Sequence, residues 1–214
     1  MGSLIKQVFV LLSILLILVS SPLLLYEKSA LNLFFAEHNS VLASDIFYLT
    51  TQMGEGIFIV LISVVLLITH VGKATFIISS TISASLISQL IKHTLNLPRP
   101  KLYIENFESI SHYCSWEINS WLSFPSGHTT AAFSLFCAIS LVYNNRKIAF
   151  VCFILAVSVG LSRVYMLQHF FIDIYFGAIL GTGISLILFK HIYPNFADKQ
   201  WAEFSLIKWI RSKV

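Results

Sequence analysis

Apolar residues in this chain come in long unbroken runs, not in the alternating or one-sided patterns of a soluble fold. Six runs, at residues 5–25, 52–71, 74–95, 128–144, 148–166 and 171–190, approach or reach the roughly 20 residues that a helix needs to cross the hydrocarbon core. The fourth and fifth are separated only by Asn144, Asn145, Arg146 and Lys147, a tight turn that makes them antiparallel neighbours. Gly72 and Lys73 read as a similar turn between the second and third. Between the first two runs, Leu31, Phe34, Phe35, Val41, Leu42 and Ile46 recur at helical spacing, which predicts a helix lying on the outer surface over 29–47. The tail from Phe196 carries Trp201, Phe204 and Trp209 among lysines and reads as a surface helix on the cytoplasmic side. The first run is too long for a signal peptide and no small-residue cleavage site follows it, so it is expected to remain as a span. The expected fold is all-α: a six-transmembrane-helix bundle with a short extracytoplasmic interfacial helix, in a single domain over residues 1–214.

Composition agrees with that pattern. Apolar types make up 57% of the 214 residues and charged types 11%, where soluble domains average about a quarter charged. With an even number of spans both termini share one side. Placing them in the cytoplasm puts Lys6, Lys73, Arg146, Lys147, Lys190, Lys199, Lys208, Arg211 and Lys213 inside and Lys28, Lys92, Arg99, Lys101 and Arg163 outside, nine against five, as the positive-inside rule requires. The basic balance, with a pI near 9.0, is thus a topology signal. No basic patch with interleaved aromatics points to nucleic acid. Cys114, Cys137 and Cys152 are too scattered for a disulfide framework or a metal site. Trp116 and Trp121 read as interface anchors.

Ionisable groups at membrane depth mark functional sites by default, and three groups gather at span ends on the proposed outer side. Lys92 and Arg99 stand seven apart in KHTLNLPRP, about two helical turns, with Pro98 bending the chain back over the mouth. Ser126, Gly127 and His128 open the fourth run in PSGH; there a serine can cap a helix whose first amides favour an anion. Ser162, Arg163, His169 and Asp173 follow in SRVYMLQHFFID. Asp173, four after His169, can hydrogen-bond one ring nitrogen and leave the other free to attack. Each group has a plainer reading: snorkelling cations, an ordinary helix cap with a bystander histidine, a buried ion pair. Lys92, Arg99 and Arg163 together, however, repel one another unless they hold an anion, and arginine's fork suits phosphate oxygens. Zinc or two-metal ligand sets are not seen.

In this order and spacing the three groups resemble the type 2 phosphatidic acid phosphatase (PAP2) superfamily, and the compact chain resembles its bacterial membrane lipid phosphatases. The motif core runs over residues 92–173. The resemblance implies that His169 attacks phosphorus and becomes a phosphohistidine, that Asp173 orients it, and that His128 protonates the leaving oxygen. Lys92, Arg99, Ser126, Gly127 and Arg163 would hold the phosphoryl oxygens, and no cofactor or metal is implied. The expected partners are a membrane lipid phosphate and the bilayer, with the site at the periplasmic or exterior face of a bacterial inner membrane. Undecaprenyl diphosphate is the first substrate expected. Phosphatidic acid, phosphatidylglycerol phosphate, lipid A phosphates and a phosphotransferase reaction remain alternatives. So does a non-enzymatic phospholipid-binding or transport protein, which the intact histidine positions disfavour. Soluble vanadium haloperoxidases share the pocket, but six apolar runs argue against them.

Overall fold

The structure, a computed structural model, describes residues 7–213. Lys6, the start of the first apolar run and Val214 lie outside the described residues, and the side chains of Phe196 and Lys208 are likewise outside. Among the described residues every regular element is helical. The main helices are α1 (Val8–Ser20, continued by a 3-10 turn over Ser21–Leu25), α2 (Ala30–Glu37), α3 (Val41–Thr51), α4 (Gly56–Thr69), α5 (Val71–Leu95), α6 (Gly127–Tyr143), α7 (Arg146–Tyr165), α8 (Phe171–His191) and α9 (Leu206–Arg211).

Among the described residues four stretches are long and apolar enough to cross a membrane: Val8–Leu25, Val71–Tyr103, Arg146–Tyr165 and Phe171–His191. A fifth arises if α3 and α4, bent by 56° where they meet, count as one span. The expected six are therefore four or five by length, for two local reasons. The second run breaks at Glu55, whose extended backbone leaves only 14 residues in α4. Asn144 adopts the left-handed conformation, φ 46°, and ends α6 after 17 residues. The expected outer helix over 29–47 is also two pieces, because Ser40 starts α3 afresh by accepting a bond from the Ala43 amide.

The turn between α6 and α7 follows the sequence reading: Asn144 closes one helix, and the Asn145 side chain accepts from the Lys147 and Ile148 amides to open the next. The turn expected at Gly72–Lys73 is not there. The break falls at His70, and Gly72 and Lys73 already belong to α5. Two amides at the start of α5 that have no partner within the helix are satisfied by the tail, Val71 N–H by the Phe204 carbonyl at 3.1 Å and Gly72 N–H by the Ala202 carbonyl at 2.9 Å. Of the tail, only Leu206–Arg211 forms the surface helix expected from its aromatic residues.

The bundle buries small hydroxyl residues beside its apolar core and turns many leucines outward. On α5, Leu86 and Leu90 are 65% and 69% exposed while Ser80 and Ser88 are fully buried. Helices in lipid gain little by hiding leucine from one another, so small and hydroxyl-bearing residues take the contacts instead. α6, buried nearly all round, presents Thr129, Ala132, Ser134 and Ala138 together with Phe133, Leu135, Phe136 and Leu141, and it packs against α5, α7 and α8. Ser134 and Ser185 join α6 to α8 through their hydroxyls at 2.9 Å. A Cβ added at Gly181 of α8 would meet the Thr130 carbonyl, and it would stand 2.9 Å from the Ser134 nitrogen. Backbone atoms cannot swing aside, so Gly181→Val is expected to cost about 1–3 kcal/mol by overpacking. Thermal unfolding in detergent should show a lowered midpoint. Gly183→Val, where nothing lies within 4 Å, is the control and should show no loss.

Candidate active site

The site lies where the C-terminal end of α5 meets the N-terminal ends of α6 and α8. α5 stops at Leu95 because Asn96 turns left-handed, φ 43°, and its amide returns to the Lys92 carbonyl. Lys92 is therefore in the last turn, with its ammonium donating to the Leu122 carbonyl at 2.7 Å. Arg99 does not face the site by helical spacing, since its own backbone is extended. It is brought there by two crossing segments: Arg99 N–H donates to the Ser120 carbonyl and Ser123 N–H to the Leu97 carbonyl. Its guanidinium then donates through Nε to the Trp121 carbonyl at 2.8 Å and through a terminal nitrogen to the Gln168 side-chain oxygen at 2.7 Å.

Ser126 caps α6, accepting from the Thr129 amide and, at 2.9 Å, from the Thr129 hydroxyl. Gly127 sits beside Lys92: a Cβ there would lie 3.6 Å from Lys92 Cε. Ser126 N–H donates to the Asp173 carbonyl at 3.0 Å, and the Ser123 hydroxyl donates to the Asp173 carboxylate. Those bonds join the second motif to the third, as Arg99 and Gln168 join the first to it.

His169 is not on α8 with Asp173. It precedes Phe170, the residue that caps α8, and Asp173 lies in the first turn, where its carboxylate also accepts from the Phe170 amide at 2.9 Å. The pair still meets, His169 Nδ1 to Asp173 Oδ2 at 3.4 Å, with both side chains 1% exposed. Nε2 is thereby the ring nitrogen left for the pocket. Burial, reinforced by Arg99, Lys92 and Arg163, holds the proton affinity of His169 well below that of an ordinary imidazole, so the ring is kept neutral and its lone pair available.

The segment before His169 is held by donors from distant parts of the chain. Asn32 Nδ2 bonds the Val164 and His169 carbonyls, both at 3.1 Å. The Tyr113 hydroxyl takes the Tyr165 carbonyl and the Trp116 indole takes the Met166 carbonyl. Trp116, read from sequence as an interface anchor, thus braces the loop of the candidate nucleophile. Cys114, next to Tyr113, is a free thiol that burial pushes up to about 12, too weakly acidic to react as a thiolate near neutrality.

Lys92, Arg99 and Arg163 are 5%, 8% and 7% exposed, and among the described residues none is paired with a carboxylate within salt-bridge distance. Arg163 donates to the Thr51 hydroxyl at 2.8 Å, while its buried Nε has no partner. Buried charge without a counter-charge is costly, and a bound oxyanion would supply the missing counter-charge. Among the described residues no group of three His, Cys, Asp or Glu side chains is placed to hold a metal ion.

Sequence reading missed Ser123, Gln168, Asn32, Thr51 and Glu55. Glu55 Oε1 stands 2.7 Å from His128 Nε2. It is the sole acidic residue within the apolar run 52–71, and that was the signal available for it.

Comparison with known proteins gives a consistent picture. The family model described as the PAP2 superfamily matches residues 73–197. The undecaprenyl-diphosphatase BcrC of Bacillus subtilis is 27% identical over 165 residues, 76% of this chain and 79% of that protein. Lipid phosphate phosphatase 1 of Arabidopsis thaliana is 28% identical over 148 residues, 57% of this chain and 45% of the relative. The chain spans about half the length of several of these curated relatives. The crystal structure of Aquifex aeolicus LpxE superposes with a TM-score of 0.69 at 24% identity, covering 77% of this chain and 95% of that one; the likeness is one of fold.

Proposed function

Because the chain belongs to the PAP2 superfamily, we propose that it is an integral membrane lipid phosphatase that works through a phosphohistidine. One observation carries the reading: three buried cations without carboxylate partners gather at the end of the bundle that holds a buried histidine, whose Nδ1 is held by a buried aspartate. In this mechanism His169 Nε2 attacks phosphorus, and Lys92, Arg99, Arg163, Ser126 and the Gly127 amide hold the phosphoryl oxygens as charge develops on them. His128 gives its proton to the leaving oxygen and then takes one from the water that cleaves the phosphorus–nitrogen bond. Asp173 orients His169 and offsets the charge of the phosphorylated ring. The positive charge comes from side chains, so no metal enters the scheme.

The chain crosses the membrane six times in this reading, with α1, the bent α3–α4 pair, α5, α6, α7 and α8 as spans. Both termini are cytoplasmic and the site opens on the exterior or periplasmic face, as the distribution of lysine and arginine favours. The substrate is a lipid phosphate whose tail stays in the bilayer. Undecaprenyl diphosphate comes first, supported by the match to BcrC along most of its length. The test is phosphate release in detergent, with EDTA present, from undecaprenyl diphosphate, phosphatidic acid, phosphatidylglycerol phosphate and lipid A. Release from undecaprenyl diphosphate above the rest, insensitive to chelation, is expected. A different preferred lipid overturns the substrate, and no release from any of them by folded protein overturns the hydrolase reading in favour of a transferase or a binding protein.

A further inference from the structure

Glu55 occupies the break between α3 and α4. It is the cap residue of α4, yet its side chain makes no capping bond; Oε1 goes instead to His128 Nε2, 2.7 Å away, with the two side chains 48% and 23% exposed. The backbone is fitted closely at this point. A Cβ on Gly54 would stand 3.0 Å from both the Cβ and the carbonyl oxygen of His128, and 2.9 Å from Val159 Cγ1. Only glycine lets the chain come this near. Thr51, a turn earlier, accepts from Arg163 at 2.8 Å. The Thr51–Glu55 turn therefore reaches two residues of the candidate site, outside all three sequence motifs.

We infer that Glu55 is a positioning residue for His128, an assignment that rests on the reading of His128 as proton donor. By accepting the Nε2 proton, the carboxylate fixes the tautomer and leaves Nδ1 as the atom that exchanges protons with the reacting groups. In the first half-reaction the bond from phosphorus to the leaving oxygen breaks, its electron pair stays on that oxygen, and the oxygen takes the Nδ1 proton. The ring passes from imidazolium to neutral imidazole, still bonded to Glu55 through Nε2–H. In the second half, Nδ1 takes a proton from water as the water oxygen bonds phosphorus, and the phosphorus–nitrogen pair returns to His169. The half-exposed carboxylate offsets the imidazolium charge in both halves.

A leaving group that departs without a proton does not need this help. Glu55→Ala and the isosteric Glu55→Gln should therefore be compared on an alkyl phosphate and on 4-nitrophenyl phosphate in the same micelles. For Glu55→Ala, kcat/KM on the alkyl ester is expected to fall about 10- to 100-fold, and on the aryl ester by less than about threefold. Glu55→Gln keeps an acceptor oxygen without the charge and should fall between wild type and Glu55→Ala. Nitrogen-15 spectra of the His128 ring should show the neutral proton on Nε2 in wild type and a mixture of tautomers in Glu55→Ala. Equal losses on both esters, no loss on the alkyl ester, or a wild-type proton on Nδ1 would each overturn the assignment. Wild-type protein inactive on both esters would instead bring down the phosphatase reading beneath it.

Discussion

His169→Ala is expected to reduce phosphate release by about 10,000-fold or more, the scale on which enzymes lose activity with their nucleophile. The expectation follows from the absence of a substitute. Removing the imidazole leaves an alanine methyl facing the cations, and water attacking directly would need a base already placed for it. Nor should the substitution loosen the loop, because Asn32 grips the His169 carbonyl and not its ring. A phosphoenzyme that is stable to alkali and lost in acid, as a phosphohistidine is, should be trapped by alkaline quench in wild type and be absent in the variant. Activity within about tenfold of wild type would mean that another residue attacks phosphorus.

Arg163→Lys is expected to lower kcat/KM about 100-fold and to weaken product inhibition by inorganic phosphate. Losing one oxyanion donor generally costs 10²–10³ in rate, and a lysine keeps the charge while losing the planar fork. The geometry sharpens the expectation: one terminal nitrogen of Arg163 is committed to Thr51, while the buried Nε has no partner and awaits an acceptor. If the residue merely ties α3 to α7, Thr51→Val should reproduce the whole loss. If it holds phosphate, Thr51→Val should cost much less and leave phosphate inhibition nearly unchanged.

The parts of the site that were legible in the sequence were those whose chemistry depends on neighbours in the chain. Asp173 reaches His169 across four residues, and Ser126 caps the helix that Gly127 begins. Even there the geometric reason differed: His169 stands before α8, and Arg99 arrives by a crossing of two segments and not by helical spacing. Asn32 and Glu55 were not legible, because each meets its partner across a long stretch of chain, 137 residues from Asn32 to His169 and 73 from Glu55 to His128. Hydropathy located the long helices but not where the second run breaks, since the bend falls where Gly54 lies close to His128 and Val159 and Glu55 bonds His128, all distant in the chain. The Gly72–Lys73 reading failed similarly, for the helix already starts at Val71 and two of its first amides are taken by the distant tail.

α6 has 17 residues, about 26 Å at 1.5 Å per residue, against a hydrocarbon slab about 30 Å thick. If α6 crosses the bilayer, as the six-span reading proposes, with Asn144 at the far boundary, Ser126 and Gly127 stop roughly 4 Å below the near one. On that reading the shortfall of one helix would set the depth at which a phosphoryl group meets the cations. Bilayer thickness would then enter the chemistry: a thinner leaflet would bring the headgroup plane down to the site, and a thicker one would oblige the lipid to sink toward it.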